Sequence, residues 1–399
     1  MLAAPPSSSP LHWYDRGPFF SRNFAIARLA ALLLALTGCA GVNAQYSPTP
    51  AHHTEEGFKN NGIGAIDKSF GELIRWQSER YAAGLPKPPL VPTPSQAPDI
   101  AALQGYTGMS KQAPAITWIG HASMLVQSGG LNVLTDPIFS SRASPISLFG
   151  PVRKHPPGVA LADMPVIDVV LISHNHYDHL DRPSVLGIAQ RARDAGQSTL
   201  FLVPLGMKSW FTDMGIADAV ELDWWDKYHH KGVEFNFTPI QHWSARSFTD
   251  RSQTLWGGFA VFAPDLHWYF AGDTGYSTDF ADTGSRFADR HTASQGGSFD
   301  LALIPIGAYE PRWFLKDQHV NPQEAVQIHR DLRAKRSVGI HWGTFELSDE
   351  SLDQPPQDLA LAARAQGLAD GDFSVMALGE TRVLAARQSS PVLQQPSPL

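Results

Sequence analysis

One stretch limits the possible folds more than any other: "VIDVVLISHNHYDHLD", Val166 to Asp181. It opens as an apolar run rich in β-branched residues, the pattern of a buried strand. It then presents His174, His176, Asp178 and His179 within six positions. Such groups are costly to bury unless something pairs with them. Imidazole nitrogens and carboxylate oxygens without thiolates are the donor set of zinc in a catalytic site, or of another borderline divalent metal. Side chains alternate at period two in extended backbone, so His174 and His176 can turn onto one ion. Asp178 and His179 come later in the turn and are displaced toward a second position. The strand is then a rigid post for ligands that a metal's charge makes tolerable to bury.

Further titratable residues stand where other predicted strands end. His242 follows "VEFNFTPIQ", Asp273 follows "WYFAG", His319 follows "LIPIGAYEPRWFLKDQ" and His341 ends "RSVGI". Strand ends on one edge of a sheet converge, and the loops there bring distant residues to one site. Two ions about 3.5–4 Å apart, sharing a carboxylate, can hold a hydroxide between them.

The rest of the composition narrows the setting. The net charge of −7 argues against a nucleic-acid partner, because no basic stripe is present to neutralise phosphates. The single cysteine, Cys39, excludes an internal disulfide and a cysteine-rich metal cluster. Arg22 and Arg28 precede an apolar run, Leu29 to Leu36, too short to span a bilayer, which predicts an export signal over 1–39. Leu36-Thr37-Gly38-Cys39 resembles the lipobox of bacterial lipoproteins. That resemblance implies cleavage before Cys39, its lipidation and a membrane anchor at the bacterial cell envelope; plain secretion with cleavage after Ala44 is the alternative.

Residues 40–112 are Pro-rich and read as an extended arm and linker wrapping the domain, with one docked helix in "SFGELIRWQSERYAAG". His52 and His53 are expected to be solvated there. Residues 113–387 read as one domain. "AITWIGHASMLVQSGGLNVLTDPIF" predicts two strands around a Gly-Gly turn, and a helix begins near Asp181 with Pro183 in its first turn. "LWGGFAVFAP" and "LHWYFAGDTGY" form a hairpin. "NPQEAVQIHRDLRAK" is a helix with Asn321 as N-cap and Glu324 completing a capping box. "FSVMALGETRVL" is a closing strand or pair, and 388–399 a disordered tail. Strands with helices interspersed in both halves suggest two sheets packed face to face and covered by helices, an α/β fold.

The run His174-x-His176-x-Asp178-His179 resembles the signature of the metallo-β-lactamase fold superfamily. "WIGHASMLVQ", "LTDPIFSSRASP", "QHWSARSFTDRSQTLWGGF", "FAGDTGYS", "IPIGAYEPRWFLKDQHVNPQEAVQIHRDL" and "IHWGTF" are similar to one branch, the phospholipases D that hydrolyse N-acylphosphatidylethanolamine. The similarity covers roughly 113–350 and stops at the amino end. It implies a four-layer αβ/βα sandwich with two zinc ions and a bridging hydroxide. His174, His176 and His242 would hold one ion, Asp178, His179 and His341 the other, with Asp273 bridging. Asp178, Asp273 and His319 are the implied catalytic residues, with His319 a general acid or substrate-orienting group; its alternative reading is a supporting residue at a helix N-terminus. His121 in "GHAS" is expected to orient a ligand or close the pocket floor. The implied reaction is hydrolysis of a phospholipid to phosphatidic acid and an N-acylethanolamine. Trp118, Phe139, Tyr309, Trp313 and Phe314 are either acyl-chain contacts or core. The alternative activity is a lactonase or other hydrolase on the same fold, since the same hydroxide attacks a carbonyl as readily as phosphorus. A lipoprotein that keeps the metal only for stability is the non-enzymatic reading.

Overall fold

The short, wholly apolar strand Val169–Leu171 (β6) lies inside a sheet, with Leu131–Thr135 (β5) on one side and Leu200–Pro204 (β7) on the other. Both neighbours are parallel to it, in the register Leu134–Val170–Phe201. A parallel strand covered on both faces needs apolar side chains in both directions, which explains the continuous hydrophobic run before His174. The structure, a computed structural model, describes residues 50–107, 112–146, 148–290 and 299–387. The predicted export signal with Cys39 and the tail from 388 lie outside the described residues. All described residues belong to one unit, Gly41–Leu399.

The first sheet is completed by Ala115–Gly120 (β3), Ser123–Ser128 (β4), Ala219–Leu222 (β8) and Thr381–Val383 (β16), in the order β16-β3-β4-β5-β6-β7-β8. The second contains Lys227–His230 (β9), Val233–Thr238 (β10), Gly258–Phe262 (β11), His267–Phe270 (β12), Leu301–Pro305 (β13), Ser337–Ile340 (β14) and Phe373–Ser374 (β15), in the order β15-β14-β13-β12-β11-β10-β9. The predicted β11–β12 hairpin is present. Residues 115–135 make three strands rather than two. Besides the expected turn at Gly129-Gly130, with φ of 61° and 79°, the chain reverses between Gly120 and Ser123, where His121 takes φ 54°. The closing segment divides between the sheets, β15 in the second and β16 in the first.

Period-two alternation sorts the core. Met124, Val126, Val169 and Leu171 join a cluster running into Phe235, Phe237 and Phe259 of the second sheet. Leu125 and Val170, one residue out of phase, join Val185, Ile188 and Ala189 of the helix Arg182–Asp194 (α3) on the outer face. Asp181 caps α3, and Pro183 stands in its first turn as expected. The helix Pro322–Asp331 (α7) buries Ala325, Val326 and Ile328 on the second sheet and carries the Asn321/Glu324 capping box. The layers are helix, sheet, sheet, helix. Among the described residues no helix is long and apolar enough to cross a membrane.

The arm carries its helix, Phe70–Ala83 (α1), capped by a Ser69/Glu72 box and closed by a left-handed Gly84. Trp76 docks it against Phe314 and Leu315, and its indole donates to Asp349 Oδ1 at 2.9 Å. His52 and His53 are not solvated: they are 6% and 8% exposed. His52 precedes and His53 opens a tight hairpin, His53–Thr54 (β1) with Gly57–Phe58 (β2). Their Nε2 atoms lie 2.7 and 2.9 Å from the two oxygens of Asp223, and His52 stacks on Trp224. One carboxylate pairs with both rings, and that compensates for burying them.

Candidate metal centre

The predicted ligands stand at the carboxyl ends of strands from both sheets. His174 stands three residues past β6, His242 follows β10, Asp273 follows β12 and His341 begins where β14 stops. The turn after His174 is closed by the amides of His179 and Leu180, both donating to the carbonyl of His176. Arg246 clamps this turn. One guanidinium nitrogen donates to the carbonyls of Asn175 and Leu180, each at 2.8 Å, while the cation lies over the Tyr177 ring.

Two donor groups result. In the first, His176 Nδ1 is 2.8 Å from His174 Nε2 and 3.3 Å from His242 Nε2. The remaining nitrogens set the tautomers. His242 Nδ1–H donates to the Gln318 carbonyl at 2.9 Å. His174 Nδ1 meets Ser173 Oγ at 2.9 Å, and that hydroxyl gives its own proton to Asp136. Both Nε2 atoms therefore present lone pairs to one point. In the second group, Asp273 Oδ2 lies 3.0 Å from His179 Nε2 and 3.0 Å from His341 Nε2. Asp178 Oδ2 lies 3.3 and 3.4 Å from the same two nitrogens. Asp273 Oδ2 is also 4.0 Å from His174 Nε2, which puts it between the groups.

The titration behaviour suits cations. Burial, reinforced by neighbouring imidazoles, holds His174 and His242 well below the ordinary histidine range, and His176 at about 4. Burial alone would raise Asp178 and Asp273, but the imidazolium of His179 keeps both well below the usual carboxylate range. Burial would likewise lower His179 and His341. Asp273 and its neighbours instead lift His179 well above its ordinary value and His341 to about 9. The carboxylates thus demand positive charge here, beside imidazoles kept neutral as ligation requires. Buried His176 Nε2 and Asp273 Oδ1 have no hydrogen-bond partner among the described residues. The donor set fits divalent metal.

All seven predicted ligands come together. His319 sits at the rim: its Nδ1 is 3.9 Å from Asp273 Oδ2, and its side chain is 13% exposed against 2% for Asp273. His121 supports the site as expected, with Nε2 2.9 Å from Asp178 Oδ2 and its ring against His341. Of the five aromatics, Trp118, Tyr309 and Phe314 are core. Trp118 stacks on Trp342, Tyr309 donates to Asp358, and Phe314 packs on Trp76.

Asp136 was not singled out from sequence, although it stands in "LTDPIF" just past β5, beside β6. Fully buried, it accepts from His179 Nδ1 at 2.6 Å and from the Ser173 amide at 2.7 Å. A carboxylate one strand away from the signature was the available signal. Asp136→Ala leaves His179 free to rotate and is expected to weaken metal affinity about 10–100-fold, measured by competition with a chromogenic chelator. Unchanged affinity would remove Asp136 from the site.

The two helix-flanked sheets and the convergent His/Asp cluster define a metal-dependent hydrolase. The chain belongs to the beta-lactamase superfamily domain family, whose model matches residues 131–342. It is 39% identical over 276 residues to N-acyl-phosphatidylethanolamine-hydrolyzing phospholipase D 1 of Caenorhabditis elegans, spanning 66% of this chain and 74% of that protein. It is 38% identical over 307 residues to the uncharacterized protein Mb0930 of Mycobacterium bovis, 75% of this chain and 76% of the other. A UPF0173 metal-dependent hydrolase of Pyrobaculum aerophilum is 27% identical over 66% of this chain and 97% of its own length. Among solved structures, an isothiocyanate hydrolase from Delia radicum gut bacteria aligns over 68% of this chain and all of its own, with TM-score 0.52 at 18% identity. That likeness concerns the fold alone.

Proposed function

We propose that the protein is a zinc-dependent phosphodiesterase of phospholipase D type, which cleaves N-acylphosphatidylethanolamine-like phospholipids to phosphatidic acid and an N-acylethanolamine. The observation that carries this reading is Asp273 Oδ2 standing between the two donor groups, with His319 beside it on the open side. His174, His176 and His242 would hold one ion, Asp178, His179 and His341 the other, and Asp273 both. Bound there, such ions would make a water acidic enough to attack at neutral pH and would offset charge on the phosphate oxygens. Water adds to phosphorus, the bond from phosphorus to the ethanolamine oxygen breaks, and a proton passes to that oxygen. His319, at the rim, orients the phosphate or serves the leaving oxygen.

A groove walled in part by the turn that carries the ligands suits a lipid substrate. It encloses about 470 Å³, and its wall includes Tyr177, which lies between His176 and Asp178, together with Arg142, Arg182, Trp210 and Arg246. Ile146 in its wall is 54% exposed, and Leu148, Phe149 and Phe248, two or three residues along the chain from wall residues, are 77%, 70% and 81% exposed. Guanidinium groups next to exposed apolar side chains suit a phosphate carried on acyl chains. The test incubates the zinc-loaded chain with N-acylphosphatidylethanolamine and with plain phosphatidylethanolamine in ¹⁸O-water, and identifies products by mass spectrometry. Phosphatidic acid carrying ¹⁸O, formed faster from the first lipid, is expected. No lipid turnover by folded, metal-loaded protein would end this reading, and lactones would be the next substrates.

A further inference from the structure

The main chain of His242 is held by an unexpected partner. β10 stops at Thr238, so no ladder reaches His242, and among the described residues no backbone group bonds its N–H or C=O. The side chain of Asn60, from the amino-terminal arm, takes both. Its Oδ1 accepts from the His242 amide at 2.9 Å, and its Nδ2 donates to the His242 carbonyl at 3.0 Å. The same oxygen accepts from Trp256 Nε1 at 3.0 Å, and the same nitrogen donates to the Gly64 carbonyl at 2.9 Å. A primary amide has two lone pairs and two N–H groups, and all four are used here. The amide cannot be turned over, since that would face its NH₂ toward the two donors, His242 N–H and Trp256 Nε1. Asn60 is 2% exposed and 182 residues from His242 in sequence.

The arm holds Asn60 firmly. The Phe58 amide donates to the Ser252 carbonyl at 2.8 Å, the Lys59 amide to the His52 carbonyl at 2.9 Å and the Asn60 amide to the Gly64 carbonyl at 3.0 Å. Asn61 Nδ2 donates to Asp279 at 2.8 Å, and His52 and His53 share Asp223.

We propose that Asn60 is a positioning residue of the metal centre. By bracketing the main chain of His242 it fixes where Nε2 points, while the Gln318 carbonyl fixes the ring's tautomer. The arm is thus a working part of the hydrolase. Without the amide, two buried main-chain groups lose their partners and the loop after β10 relaxes, carrying the ligand with it. This inference rests on the two-ion reading above.

The experiment uses the full chain loaded with zinc, and separately with cobalt. Metal content, the rate at which each ion passes to a chromogenic chelator, and the cobalt absorption spectrum are recorded for wild type, Asn60→Ala and Asn61→Ala. Asn61→Ala removes a neighbouring arm anchor that does not touch His242. In Asn60→Ala, one of the two ions is expected to leave about 10–100-fold faster with an altered cobalt spectrum, while Asn61→Ala behaves as wild type. If Asn60→Ala does not fold, Asn60→Ser, too short to bracket both groups, is expected to show the same selective loss. Equal release from wild type and the Asn60 variant, or an equal effect from Asn61→Ala, overturns the proposal while the metal reading stands. A wild-type chain that holds no metal overturns both.

Discussion

Asp273→Asn is expected to lower turnover by about 10³-fold or more, corresponding to about 4 kcal/mol of transition-state stabilisation, with at least one ion bound more weakly. The substitution keeps the shape and removes the charge at the one oxygen facing both donor groups, 3.0 Å from His179 Nε2 and His341 Nε2 and 4.0 Å from His174 Nε2. That negative charge also sustains the positive charge demanded at His179 and His341. An amide offers a carbonyl oxygen, a weaker ligand than a carboxylate, or turns its NH₂ toward the cations. The rate of lipid hydrolysis and the metal content should be measured on the same preparation. A variant that keeps half the wild-type rate would show that Asp273 does not join the two groups.

His319→Ala should separate catalysis from metal binding. The expected result is a loss of about 10²–10⁴-fold in kcat with both ions retained, since His319 touches the site only from the rim. Its place is well determined: its amide donates to the Leu315 carbonyl, its carbonyl accepts from Arg312, and the next amide, of Val320, donates to the Thr274 carbonyl. The approach to it is tied by Glu350, which accepts from the amides of Ala308 at 2.6 Å and Glu310 at 3.0 Å. Loss of an ion together with activity would make His319 a ligand. Retention of full activity would leave it only a structural role beside the centre.

Local patterns carried a large part of this protein in the sequence. The β-branched run before His174, the capping signals at Asp181 and Asn321, the paired glycines at 129 and 130 and the spacing of His174, His176, Asp178 and His179 depend on neighbours a few residues away. The structure returns each of them. The remaining ligands were legible because each directly follows an apolar run, and the carboxyl ends of strands from both sheets meet at one edge.

What depended on distant partners was decided only by the tertiary structure. β15 and β16 look alike along the chain, and which sheet takes each is set by the free edges at β14 and β3. His52 and His53 read as solvated because nothing near them in sequence compensates for burial; Asp223, 171 and 170 residues away, does so. Asp136 and Asn60 looked ordinary for the same reason, each satisfying a polar group that only folding brings within reach. Periodicity and caps are written in adjacent residues, whereas a buried hydrogen bond is written in two places at once, and a single sequence shows only one of them at a time.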